Sequence, residues 1–110
     1  MKLGALAASL VIAFSTGCSP SGPQALLKGE ALLAGGHAQQ ALPLLKQAAA
    51  DLPEQAQAWN HLGLAYHLTG DRENAIQAYQ RALQKNRNLA VVHQNLGRLY
   101  QETGNVAASP

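Results

Sequence analysis

Cysteine is almost missing: the 110 residues contain one, Cys18, so no disulfide within the chain can staple the fold. Charge is also sparse. Asp, Glu, Lys and Arg make up 13% of the residues and sum to +2, and the basic residues are scattered. That excludes the basic stripe with which proteins grip nucleic acid. No apolar run is long enough for a membrane-spanning helix, which needs about eighteen residues. The usual catalytic constellations are lacking too. No Ser-His-Asp order, paired carboxylates or phosphate loop stands at usable spacing, and Gly35-Gly36 lacks the strand–loop–helix context of such a loop. Four histidines are present, but His61 and His67 are too far apart for a helical ligand pair. His37 and His93 lie elsewhere, and no Cys, Asp or Glu completes a set. The expectation is a protein without metal, cofactor or catalysis. What is present is apolar: 47% of the chain is hydrophobic, enough for one core and against wholesale disorder.

The first residues read as an address. Lys2 gives a positive start, Leu3 to Phe14 is apolar apart from Ser9, and small residues follow. These are the parts of a secretory signal. The exit, Ser15-Thr16-Gly17-Cys18, resembles the lipobox of bacterial lipoprotein signal peptides, with Ser15 where that motif usually has Leu. The resemblance implies cleavage before Cys18 and lipid on its sulfur. Two acyl chains hold a protein stably at a membrane, at about 0.8 kcal/mol per buried CH₂. Ser19 stands where Asp commonly signals inner-membrane retention, so the expected place is the outer membrane facing the periplasm in a Gram-negative cell. Ser19 to Pro23 is rich in Pro, Ser and Gly and reads as a linker. The division is therefore a signal peptide over 1–17, and a lipidated cysteine with linker over 18–23.

Self-comparison of the remainder reveals a period. At an offset of 34, Gly29, Gly63 and Gly97 align, as do Gly36, Gly70 and Gly104. Ala41 aligns with Ala75, Ala48 with Ala82, Leu62 with Leu96, and Tyr66 with Tyr100. Trp59, Leu62, Gly63 and Tyr66 share one helical face, and Ala75, Tyr79 and Ala82 another. Gly70 suits the left-handed residue that ends a helix, and Asp71 suits the cap of the next. Small residues recur where helix backbones approach closely. The spacing predicts helices over 23–34, 38–50, 54–68, 72–85 and 89–103, with Pro43 bending the second without ending it.

The stretch Ala58-Trp59-Asn60-His61-Leu62-Gly63-Leu64-Ala65-Tyr66, with Gly70-Asp71, Ala75, Tyr79 and Ala82, resembles the tetratricopeptide repeat family. The match departs at Arg87, where the family has proline, and at Ala25 and Lys28, where it has Trp and Leu. The resemblance implies an all-α, antiparallel helix-hairpin solenoid of about two and a half repeats, over 22–55, 56–89 and 90–110. It also implies a non-catalytic adaptor that binds a peptide or helix of a partner protein in a concave groove. Helical spacing gathers Asn60, His61, Leu64, His67 and Leu68 on the face opposite Trp59. The resemblance extends that groove to Leu26, Leu27, Glu30 and Leu33 on one side, and to Gln94, Asn95, Arg98, Gln101 and Glu102 on the other. The carboxylate-clamp subclass does not fit, because its positions hold Leu26, Glu30, His61, Val91 and Asn95. Asn105 could cap a sixth helix, but too few residues follow it to pack one. The face bearing Leu96, Gly97 and Tyr100 is thus open to self-association. The alternative reading is the N-terminal part of a larger exported repeat protein or enzyme.

Overall fold

The computed structural model describes residues 21–102 and Gly104. The expected signal peptide, Cys18 and the part of the expected linker through Pro20 lie outside the described residues, as do Thr103 and the segment from Asn105 onward. Five α-helices follow in order: α1 Gly22–Ala34, α2 Ala38–Asp51, α3 Ala56–Leu68, α4 Arg72–Lys85 and α5 Ala90–Glu102. No strand occurs among the described residues.

The helix ends follow from local chemistry. α1 starts inside the stretch read as linker. Ser21 N–H donates to Gln24 Oε1 at 3.3 Å, and Pro23 sits in the first turn, where its missing N–H costs nothing. Gly22 is buried, and a Cβ there would lie 2.8 Å from the Asp51 Cβ, so the backbone start of α1 touches the end of α2. α1 and α3 end alike. Gly36 and Gly70 take φ of +83° and +91°, and the next residue's N–H reaches back, His37 to Leu32 O and Asp71 to Tyr66 O. That satisfies carbonyls a helix end would otherwise leave bare. Gly104 repeats the geometry after α5, with φ +71°. Asp71 caps α4 by accepting from the Asn74 N–H at 3.3 Å and the Asn74 Nδ2 at 2.7 Å. α2 passes through Pro43 unbroken, with the proline on its exposed side. α3 begins two residues later than the spacing suggests, because Pro53 and Glu54 are spent in a turn closed by Gln55 N–H to Leu52 O.

Consecutive helices pair as hairpins, α1 with α2 and α3 with α4, and α5 packs beside α4. One glycine sets each complete hairpin. A Cβ at Gly29 would lie 2.5 Å from Leu45 Cδ2, and one at Gly63 would lie 2.7 Å from the Tyr79 ring. Both distances are too short for any side chain, so glycine is required for the backbones to come this close. The core is continuous but has two centres. The first gathers Ala25, Leu26, Ala41, Leu45, Ala48, Ala58, Leu62 and Ala65, and the second Ala75, Tyr79, Ala82, Val92 and Leu99. Trp59 and Tyr66 border both and join the hairpins into one stack.

Candidate partner-binding groove

The first helix of each unit, α1, α3 and α5, presents a face that no second helix covers. Its surface is partly apolar. Leu27, Leu68 and Val91 are 66%, 56% and 41% exposed. Leu33 and Leu64 beside them are half-buried.

Polar side chains tie these first helices together. On the outer part of the face, His61 Nδ1 lies 2.9 Å from the Gln57 carbonyl oxygen and 3.4 Å from Glu30 Oε2, linking α3 to α1. His67 Nε2 donates to Glu102 Oε1 at 2.6 Å, linking α3 to α5. Between them and deeper, Asn95 Nδ2 donates to Asn60 Oδ1 at 3.0 Å. Both asparagines are buried, and pairing spares each the cost of a bare amide inside the protein.

The sequence-derived groove is therefore sorted by depth. Gln94, Arg98, Gln101 and Glu102 are exposed on α5, and His61, Glu30 and Leu64 are half-exposed. Asn60, Asn95 and Leu26 lie beneath the surface as supports. The His67 side chain is only 8% exposed, and its Nδ1 is buried with no partner among the described residues. Leu27 and Val91 carry more apolar exposure than Leu26 and Asn95 beside them.

The two His–Glu links escaped a search for spacing within one helix, because each partner comes from the neighbouring repeat. The signal that could have found them is polar complementarity near the repeat offset, with His67 and Glu102 35 residues apart. Two residues do not make a metal centre, and among the described residues no three His, Cys, Asp or Glu side chains come together.

Behind the groove, the buried Tyr79 hydroxyl has no hydrogen-bond partner among the described residues. Burial pushes its pKa well above the usual phenol value. Nearby Arg98 pulls it down and Glu102 pushes it up, both by less. On the far side of the hairpins, cations lie over aromatic rings: Lys46 Nζ is 5.8 Å from the Tyr66 centroid, and the Arg81 guanidinium 5.2 Å from that of Trp59. Trp59 Nε1 donates to the Pro53 carbonyl at 2.8 Å, and one repeat later His93 Nε2 donates to the Arg87 carbonyl at 3.1 Å.

A family model described as tetratricopeptide repeat matches residues 26–90, which is more than half of the chain. A search of curated proteins found no match. Repeats of this kind serve as modules for protein–protein interaction and are typically non-catalytic. Glycine-notched hairpins in register, and a family match across them, lead to one statement: the chain belongs to the tetratricopeptide repeat family.

Proposed function

We propose that this protein is an exported, lipid-anchored adaptor that holds a peptide or helix of a partner protein against the exposed face of α1, α3 and α5. The observation that carries the reading is where exposed aliphatic surface falls. Leu27, Leu68 and Val91 all sit on first helices, on the face that the second helices leave uncovered. Apolar side chains interleaved with His61, Glu30, Arg98 and Gln101 suit an amphipathic helix or extended segment. Such a ligand buries its aliphatic anchors and leaves its polar flank to the rim. The anchor half of the reading rests on the apolar leader that ends at Cys18.

One experiment addresses both halves. Cells making the wild type, Leu64→Glu/Leu68→Glu or Cys18→Ser are labelled with palmitate, cross-linked and fractionated, and the protein is recovered from membranes. The expected outcome is that the double variant stays helical and membrane-bound but loses its partner. Cys18→Ser is expected to lose label and leave the membrane fraction. Undiminished partner recovery by the folded double variant would remove the groove from the account, and equal labelling of Cys18→Ser would remove the anchor.

A further inference from the structure

The 34-residue offset sets Glu30, Leu64 and Arg98 at the same position of α1, α3 and α5. All three lie on the first-helix face that carries the groove, Arg98 exposed and the other two half-exposed. An acid, an aliphatic side chain and a base therefore cross the groove in one row. Links between the helices keep that row in register. His61, one turn before Leu64, places Nδ1 3.4 Å from Glu30 Oε2. His67, one turn after Leu64, donates to Glu102, one turn beyond Arg98. Beneath them, Asn95 Nδ2 donates to Asn60 Oδ1 at 3.0 Å.

The two end charges stay available. Among the described residues no lysine or arginine forms an ion pair with Glu30, and no carboxylate forms one with Arg98. Glu102, the other charged residue of the groove, is held toward α3 by His67 at 2.6 Å. A partner laid across the row thus meets an acid over α1 and a base over α5, with leucine between them. Aliphatic side chains widen the row on both sides: Leu27 one turn before Glu30, Leu68 one turn after Leu64, and Val91 two turns before Arg98. Measured along the helices that strip is about 16 Å wide at 1.5 Å per residue, broad enough for an α-helix of about 10–12 Å diameter. The spacing across the row suits a helix as well. Packed helices stand about 8–10 Å apart, and seven residues of α-helix advance about 10.5 Å. Residues i, i+7 and i+14 of a helix lying across the groove therefore fall on α1, α3 and α5 in turn.

We propose that the groove selects its partner by charge order: it seats an amphipathic helix with a cation on Glu30, an aliphatic side chain on Leu64 and a carboxylate on Arg98, at heptad spacing. This rests on the groove reading above and adds to it the partner's charge pattern and direction, since the order of the charges decides which end lies over α1. A helix with the same charge at both ends is repelled at one of them.

The test uses the full chain and three labelled helical peptides that share one leucine stripe and differ only at its two ends: lysine and glutamate, lysine twice, or glutamate twice. Fluorescence anisotropy follows their binding. The mixed peptide is expected to bind roughly threefold to fivefold tighter than either of the others at low salt, with the advantage shrinking at high salt. Glu30→Lys is expected to move the preference to the di-acidic peptide, and Arg98→Glu to the di-basic one. Both side chains reach the surface, so both variants keep their helices, which circular dichroism checks. If the three peptides bind alike and the neutral variant Leu64→Gln/Leu68→Gln abolishes all binding, the charge order is refuted while the groove stands. Binding that survives the double variant places the peptides elsewhere and refutes both. A preference that the two charge reversals leave unmoved, or no saturable binding of the mixed peptide, also overturns the proposal, and the membrane recovery experiment then decides the groove by itself.

Discussion

Tyr79 fills over Gly63 the notch that Leu45 fills over Gly29, and it brings a hydroxyl that leucine does not. That oxygen is buried and unpartnered among the described residues, so the packing of the ring outweighs the penalty on its polar end. Tyr79→Phe is expected to raise stability at neutral pH by about 1 kcal/mol in urea melts, since it removes a bare buried polar group and keeps the ring. The sign with pH follows from burial. The folded state holds the phenol proton more tightly than the unfolded chain, whose phenol titrates near 10.0. Stability from this group is therefore full below that pH and is lost as pH climbs toward the folded value. Wild type is expected to weaken in alkali, and Tyr79→Phe to show less of that loss. An identical alkaline decline in both would clear Tyr79 of the effect. At this scale the sequence was partly legible. The apolar role of Tyr79 followed from its spacing with Ala75 and Ala82, whereas its stranded hydroxyl depends on what α5 places above it.

Between helices, glycine decides how closely the backbones approach, and two glycines of one column make opposite forecasts. Gly63→Ala drives a methyl group to within 2.7 Å of a ring that is fully buried, and is expected to cost about 1–3 kcal/mol through overpacking. Gly97→Ala meets nothing within 4 Å among the described residues, so the better helix propensity of alanine should stabilise α5 by about 0.5–1 kcal/mol. Chemical denaturation of the two variants checks this, and shifts of equal sign would contradict it. The glycine columns, the left-handed turn at Gly70 and the bounds of α4 were legible in the sequence, because each depends on local geometry that recurs with the 34-residue offset. The Asn60–Asn95 pair was not. Its members are 35 residues apart, one step off the repeat, so an exact-offset comparison never sets them side by side. Contacts across the stack depend on how one hairpin rotates relative to the next. For the same reason, helical spacing put Asn60, and the family resemblance put Asn95, on the groove surface although both lie beneath it.

As a whole, the molecule is a stack in which each helix is stabilised by the neighbours that cover it. α3 is packed by α2 on one side and α4 on the other, whereas α5 touches α4 and α3 only lightly. The exposed leucines of the first helices form one surface only if hairpins pack on glycine in this register. Amide hydrogen exchange resolved by residue tests that most directly. The account predicts the slowest exchange in α3 and α4 and the fastest helical exchange in α5. Protection of α5 equal to that of α3, or uniformly fast exchange through all five helices, would contradict it.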